Sequence, residues 1–177
     1  MLIEGIERKD MGPSSHFPVL AAAVHRTTGP VLEFGMGDYS TTMLHGLCRD
    51  RLLVSVESDP AWMAQFEEFR GPNHQMHLVD GAPKREAWTQ FKGIEERDDW
   101  SVALVDHWSE YRYDIALRLK GRCRFIICHD YEEIYMPSNY SSDYKWKALD
   151  GVFKYRFVYK KYVPYTAVFS DEEEFSF

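Results

Sequence analysis

One stretch near the start of the chain restricts the possible folds more than any other. It opens with the turn Gly29-Pro30, continues as an apolar run through Glu33, and then places Gly35 and Gly37 directly before a helical pattern. The apolar run predicts a buried strand, and glycines at such a point allow a sharp turn and a close approach to the backbone. The following helix begins with residues that can cap it, namely Asp38, Ser40 and Thr41. The unpaired N–H groups at a helix start attract polar or negative groups, so this stretch predicts a ligand-binding loop.

The same alternation of strand and helix continues along the chain. Apolar runs predict five strands, at 31–34, 51–57, 75–79, 100–106 and 124–128. Helical patterns lie around them, at 17–26, 41–50, 60–69, 84–97 and 111–120, with a short one at 144–149. Residues 153–159 and 165–169 alternate with a period of two, which predicts an antiparallel strand pair. Apolar strands that alternate with helices indicate an α/β fold whose parallel sheet is covered on both faces.

The length of 177 residues is that of one domain, which we expect to span 1–177. Within it, residues 1–12 are predicted to be a loose N-terminal arm and residues 171–177 an acidic tail, in which the run 171–174 is expected to be solvated. The net charge is −7, and the chain has no basic cluster beyond Lys160-Lys161. Binding to a phosphate backbone needs concentrated Lys and Arg. We therefore expect a small-molecule partner and no nucleic acid; nothing in the chain predicts an oligomeric state.

The expected location is the cytoplasm. The three cysteines, Cys48, Cys123 and Cys128, form no CxxC pair and are interpreted as reduced core residues. The N-terminus is charged throughout and shows no signal peptide, and no run of about 18 apolar residues predicts a membrane span.

Acidic or titratable residues close every predicted parallel strand. In chain order these are Glu33, Glu57, Asp80, Asp106 and the pair His129-Asp130. The carboxyl ends of parallel strands meet at one edge of a sheet, where such folds bind ligands. The sequence therefore predicts an acidic ligand site at that edge.

These residues resemble the motifs of class I S-adenosylmethionine-dependent methyltransferases, in the style of catechol-type and related small O-methyltransferases. Glu33-Phe34-Gly35-Met36-Gly37 is similar to their E/D-x-G-x-G loop, with Tyr39 near the place of a third glycine. Glu57 resembles the acid after the second strand, and Asp80-Gly81 the adenine-side motif. Val105-Asp106-His107-Trp108 and Ile127-Cys128-His129-Asp130 resemble motifs that end the fourth and fifth strands. The resemblance covers about residues 13–170 and implies a Rossmann-like, doubly wound, mostly parallel seven-stranded sheet with a C-terminal antiparallel strand pair.

The resemblance also implies a cofactor, a reaction and a set of roles. The cofactor is S-adenosylmethionine, and the reaction is O-methylation of a small hydroxylated acceptor such as a sugar or phenol. Cofactor-binding residues are expected to be Glu33, Gly35, Gly37, Ser40, Glu57, Ser58, Asp80, Gly81 and Asp106. The candidate catalytic residues are Asp106, His107, His129 and Asp130, and a divalent cation (Mg²⁺ or Mn²⁺) is expected at Asp106, His129 and Asp130. Aromatic residues expected to wall the acceptor pocket are Trp108, Tyr113, Tyr131 and Tyr135.

Several of these residues also have a purely structural interpretation. Glu33 can anchor the glycine loop instead of contacting ligand, and Glu57 can be an acid at a helix N-terminus. Asp80-Gly81 is also a plain turn, and Asp106 can cap the next helix. The remaining histidines have no partner at metal-ligand spacing and are interpreted as background: His16, His25, His45, His74 and His77.

Three other functions stay open at this point. A nicotinamide-dependent oxidoreductase needs a fuller G-x-G-x-x-G loop and a site that tolerates pyrophosphate, whereas this edge is acidic. A non-catalytic module could keep the cofactor pocket without the chemistry. A metal-dependent hydrolase could be built on the acidic edge.

Overall fold

The computed structural model describes residues 11–79, 85–107, 112–131 and 146–177, and the backbone alone of 2–3, 6–7, 9–10 and 85–87. Its centre is one seven-stranded sheet. The strands are β4 (Val31–Phe34), β5 (Leu53–Glu57), β6 (His74–Leu78), β7 (Trp100–Val105), β8 (Cys123–His129), β9 (Tyr155–Tyr159) and β11 (Thr166–Ser170).

The strand order in this sheet is β6-β5-β4-β7-β8-β11-β9. The pairs from β6 to β8 are all parallel, and β11 runs antiparallel to both β8 and β9. The order reverses at β4, because β5 and β7 pair with its two sides. This confirms the predicted Rossmann-like fold and its antiparallel C-terminal pair, and places the sheet's switch point beside the glycine loop.

The helices cover both faces of the sheet. They are α1 (Phe17–His25), α2 (Ser40–Leu47), α3 (Pro60–Met63), α4 (Arg85–Gln90) and α5 (Arg112–Leu119). Apolar residues of α1 and α2 pack with Val31, Leu104 and Ile127 on one face, whereas α4 and α5 pack with Leu32, Val105 and Ile126 on the other. Successive strand residues thus enter opposite cores, as the period of two requires.

Three predicted helices are shorter or tighter in the structure. The helix predicted over 60–69 is α3 followed by a 3₁₀ segment, Ala64–Phe69. The helix predicted over 84–97 ends at Gln90, and turns follow around Gly93, a residue that disfavours helix continuation. The short helix predicted over 144–149 is a 3₁₀ segment over Trp146–Leu149; residues 144–145 lie outside the described part.

Both chain ends are more attached than predicted. Leu2–Ile3 (β1) pairs with Ile6–Glu7 (β2), and Lys9–Asp10 (β3) pairs in parallel with Tyr162–Val163 (β10). The Met11 N–H donates to Val163 O at 2.9 Å, so the end of the predicted loose arm is fixed to the domain.

The C-terminal tail packs against the sheet. Phe175 is 3% exposed and meets Phe125 at 5.4 Å between ring centroids, and Arg124 pairs with Glu173 at 2.7 Å. Glu172 and Glu174 in the acidic run are exposed, and the aromatic anchor that follows them attaches the tail to the sheet. Among the described residues, no helix is long and apolar enough to cross a membrane.

Gly35 explains how the loop after β4 fits the sheet. Its φ is +87°, a conformation that other residues rarely adopt. A Cβ here would lie 2.6 Å from both Asp106 O and His107 Cα. What approaches the backbone of this glycine is therefore the chain leaving β7, and no side chain fits between the two segments.

We expect Gly35→Ala to lower the free energy of unfolding by roughly 2–5 kcal/mol, because it combines backbone strain with overpacking. Gly37→Ala is the matched control, since its Cβ would meet only Ser40 Oγ at 3.5 Å, an ordinary contact. Urea unfolding of the three proteins measures the difference. Equal stability of the two variants would show that the close approach at Gly35 is not a constraint.

Candidate functional site

A cavity of about 610 Å³ lies at the carboxyl ends of β4, β5 and β7. Predicted cofactor residues line it: Gly35, Gly37, Ser40, Glu57, Ser58 and Asp106. Further lining residues were not predicted: Pro13, His16, Met36, Asp38, Tyr39, Asp59, Trp62 and Arg112. Asp80 and Gly81 lie outside the described residues. The structure thus brings most of the predicted cofactor set to one place.

Hydrogen bonds fix the floor of this cavity, the loop from Gly35 to Ser40. The Gly37 N–H donates to Thr41 Oγ1 at 2.8 Å, and the indole N–H of Trp62 donates to Met36 O at 2.7 Å. Helix α2 has Tyr39 at its cap position and no capping side-chain bond there. Of the three predicted caps, Thr41 accepts from the loop, and it does so from inside the helix.

Glu33 lies beneath the loop and does not line the cavity. It is fully buried and accepts from Ser55 Oγ at 2.6 Å and from Thr41 Oγ1 at 3.0 Å. Ser55 Oγ also lies 2.9 Å from His74 Nε2. Burial raises the pKa of Glu33 to about 7, against the opposing effect of hydroxyls from Ser55, Ser40 and Thr41. Glu33 was predicted to contact the cofactor, but its buried position corrects this prediction. Instead, Glu33 anchors the glycine loop, because it holds Thr41, which accepts from the Gly37 N–H.

Glu57 joins two loops at the edge of the cavity. Its Oε1 accepts from the N–H groups of Ser58 at 2.6 Å and Asp59 at 3.0 Å and from Ser58 Oγ at 3.3 Å. Its Oε2 accepts from the Met36 N–H at 3.0 Å. A carboxylate oxygen has two lone pairs, so Oε2 keeps one for a ligand. Both the structural and the ligand-binding interpretations of Glu57 therefore fit its contacts.

Asp106 forms the opposite end of the cavity, directly after β7. Its Oδ1 lies 3.0 Å from Arg112 Nη1 and 3.1 Å from His129 Nδ1, and its Oδ2 lies 3.9 Å from His16 Nδ1. Burial by itself would raise the pKa of the Asp106 carboxyl, but His129 and Arg112 outweigh it and hold that pKa well below its usual range. Asp106 is therefore a permanent negative charge and a weak proton acceptor.

His129 and Asp130 lie outside the cavity and contact the residues at this end: His129 contacts Asp106, and Asp130 contacts Arg112. His129 is 3% exposed, and its Nε2 lies 2.8 Å from Ser15 Oγ. Although burial lowers the pKa of His129, the charge and hydrogen bond of Asp106 raise it above its ordinary value. Asp130 adopts a φ of +55° and accepts from Arg112 Nη1 at 2.9 Å. Neither His129 nor Asp130 lines the cavity. The prediction that they contact the substrate directly is therefore corrected: His129 contacts Asp106, and Asp130 contacts Arg112.

His16 is the functional candidate that the sequence did not reveal. It lies just before α1, is 2% exposed and lines the cavity beside Asp106. Neither of its ring nitrogens has a hydrogen-bond partner in the part of the chain that the structure describes. Burial lowers the pKa of His16 to about 4, with a further contribution from His129, so the ring is neutral at pH 7. No local motif marks this residue, because only the fold brings it to Asp106.

His107 points away from this cluster. It is fully buried and packs on Trp88, with 4.4 Å between ring centroids, and on Phe34. Burial holds the pKa of His107 well below its ordinary value. The predicted catalytic role of His107 was wrong, because the residue after Asp106 faces the opposite core.

Two of the four aromatic residues predicted to wall the acceptor pocket, Tyr113 and Tyr131, do not line the cavity. Tyr131 packs with Trp146 and Phe169 in the core, and Tyr113 packs against the same core. Trp108 and Tyr135 lie outside the described residues. Among the residues that the structure describes, Tyr39 and Trp62 are the tyrosine and tryptophan that line the cavity.

Replacement of Glu33 tests its buried position. Because the folded protein holds the Glu33 proton more tightly than the unfolded chain, this carboxyl contributes stability that is complete below pH 4.5 and lost as pH rises to about 7. Compared with Glu33→Gln, the wild-type protein should lose on the order of 2–3 kcal/mol more unfolding free energy between pH 5 and 7.5. Urea unfolding across this range measures both proteins, and parallel pH profiles would contradict the assignment.

No family model matches the chain, and no curated protein matches it by sequence. Solved structures do match. A spermidine synthase from Thermotoga maritima has a TM-score of 0.56 at 14% identity, over 86% of this chain and 57% of that one. A putative caffeoyl-CoA O-methyltransferase from Staphylococcus aureus has a TM-score of 0.60 at 9% identity, over 89% of this chain and 83% of that one. The chain thus spans little more than half of the first structure and most of the second.

A third matched structure is named for an RNA substrate. It is the 16S rRNA N2 G1207 methyltransferase of T. thermophilus in complex with AdoMet and guanosine, with a TM-score of 0.49 at 13% identity, over 94% of this chain and 42% of that one. The prediction of a small-molecule acceptor and no nucleic acid was wrong, because it rested on the net charge of the whole chain, which does not describe the charge of the surface where an acceptor binds.

The matched structures share the architecture of the sheet but little sequence, and their likeness concerns the fold. That fold carries ligands at the carboxyl ends of the strands beside the switch point, where the cavity lies. The chain has the Rossmann-like fold of S-adenosylmethionine-dependent methyltransferases.

Proposed function

We propose that the protein is an S-adenosylmethionine-dependent methyltransferase and that the cofactor binds in the cavity above the Gly35–Ser40 loop. One observation carries this proposal: the glycine loop, the acid after β5 and the acid after β7 meet in a single cavity at the ligand-binding edge of this fold. The volume of about 610 Å³ lies within the usual range of small-molecule and cofactor sites.

The lining residues divide the cavity between the parts of such a cofactor. Glu57 Oε2 has one lone pair available for a ribose hydroxyl, as an acid in this place has in dinucleotide folds. The loop from Gly35 to Ser40 offers backbone groups to the methionine part, and Trp62 supplies an apolar wall. When bound, the cofactor supplies a methyl group on a positively charged sulfur.

The charges of the lining favour this cofactor over a nicotinamide dinucleotide. The cavity is lined by four carboxylates, from Asp38, Glu57, Asp59 and Asp106, and by one guanidinium, from Arg112, which is already paired with Asp106. A pyrophosphate would be repelled here, whereas a sulfonium is attracted.

We assign the Asp106 end of the cavity to the methyl acceptor and an oxygen to the atom that is methylated. Methyl transfer depends chiefly on proximity and alignment of donor and acceptor. Arg112 fixes the orientation of Asp106, and neutral His16 beside it offers a nitrogen to an acceptor hydroxyl. The pairing of a cofactor loop with this second polar end favours an enzyme over a module that only binds cofactor.

Calorimetric titration tests cofactor binding. We expect S-adenosylmethionine and S-adenosylhomocysteine to bind and NAD to give no heat of binding. Gly37→Ala should weaken binding at least about tenfold, because a methyl group on the cavity floor displaces a close contact, which costs about 1–3 kcal/mol.

Gly46→Ala is the matched control. Gly46 lies in the exposed part of helix α2, and a Cβ there would meet nothing within 4 Å. This variant should bind both adenosyl compounds as the wild type does. If neither compound binds to the wild-type protein, or if both variants bind equally well, the cofactor assignment is incorrect.

A further inference from the structure

A second site lies at the acceptor end of the cavity, where three metal-binding side chains meet. Ligand atoms of His16, Asp106 and His129 all lie within 4.8 Å of one another. Around an ion with bonds of about 2.0–2.2 Å, neighbouring ligand atoms lie roughly 3 to 3.5 Å apart. The distance between Asp106 and His129 already fits at 3.1 Å, and that between Asp106 and His16 is 3.9 Å. Separations in the group of up to 4.8 Å exceed this spacing, so His16 must move toward the other two side chains to complete it.

His16 is buried without a hydrogen-bond partner among the described residues, and a bound metal ion would supply one. A polar ring that is 2% exposed and has no hydrogen-bond partner among the described residues carries a desolvation cost without compensation. His16 is among the residues that line the cavity, so an ion would approach the ring from there. Asp106 Oδ2 faces the ring, while Oδ1 holds Arg112 and His129.

His129 has the second contact that metal-binding histidines usually make. Its Nε2 lies 2.8 Å from the buried hydroxyl of Ser15. A ligating histidine typically donates its other N–H to such a group, which fixes its tautomer and ring orientation. Nδ1 now donates to Asp106 Oδ1 at 3.1 Å; an ion would displace that proton, and with Nε2–H directed to Ser15 the freed Nδ1 lone pair would bind the ion.

Asp130, which the sequence placed in the metal set, is held elsewhere. Its Oδ2 accepts from Arg112 Nη1 at 2.9 Å, and its Oδ1 lies 3.4 Å from His129 Nδ1. Asp130 therefore neutralises Arg112. With His129 neutral, as a metal ligand must be, Asp106, Asp130 and Arg112 together carry a net charge of −1.

We propose that His16, Asp106 and His129 bind a divalent transition-metal ion of the zinc, cobalt or iron type at the acceptor end of the cavity. Two imidazoles and one carboxylate favour such ions over Mg²⁺, which prefers oxygen ligands. Three protein ligands leave coordination positions open, and an acceptor oxygen bound there would lose its proton more easily. This use of the ion depends on the proposed methyltransferase function, but binding of the ion does not.

Co²⁺ alone is the probe, added to the metal-stripped full-length protein without cofactor. We expect one Co²⁺ per chain, with visible absorption that reports imidazole coordination, and a rise in melting temperature. His16→Leu should weaken Co²⁺ binding at least about tenfold. In EDTA this variant should melt no lower than the wild type, because His16 makes no hydrogen bond that Leu would lose.

Two further variants complete the experiment. His25→Ala removes an exposed histidine from the end of the same helix and should bind Co²⁺ as the wild type does. Asp130→Asn should reduce the affinity far less than His16→Leu. The proposal is overturned if the wild-type protein binds no Co²⁺, if His16→Leu binds it as well as the wild type, or if Asp130→Asn abolishes binding while His16→Leu does not. Since no adenosyl compound is present, these results are independent of the cofactor titration.

Discussion

The close packing of the glycine loop against the chain leaving β7 is the constraint on which the site depends. At Gly35 the two backbones are so near that a Cβ would lie 2.6 Å from Asp106 O. This contact sets the floor of the cavity and the position of Asp106 at the same time. Glu33 reinforces it from below, because its carboxylate holds Thr41 and Ser55 in the interior. The glycine is therefore a packing requirement first, and its possible ligand contact follows from the geometry.

Two groups of buried polar residues surround the cavity, and they differ in function. Beneath the loop, the Glu33 carboxylate is satisfied by hydroxyl groups and joins strand to helix. At the far end, Asp106 is shared by Arg112, His129 and His16, and the last of these has no hydrogen bond in the described part of the chain. Satisfied groups of the first kind stabilise the fold, whereas an unsatisfied buried ring beside a permanent negative charge indicates a binding function.

Much of the fold was predictable because its pattern is local. Apolar and alternating runs between turn residues marked each of the seven strands to within two residues at either end. The α/β alternation then restricted the topology to a covered parallel sheet. The local pattern did not predict the attachments that a tertiary contact decides: Phe175 attaches the acidic tail to the sheet, and Lys9–Asp10 pairs with a strand near the other end of the chain.

The sequence by itself determined the sheet, the glycine loop and the row of acids at the strand ends, because each depends on residues that are neighbours in the chain. Only the tertiary structure decided what those residues face. It directed Glu33 into the core, turned His107 toward Trp88, and brought His16 to Asp106 from a segment that shows no motif. Ser15 and His129, separated by 114 positions, meet for the same reason. Side-chain partners at this distance follow from how helices pack on the sheet, and one-dimensional spacing does not contain that information.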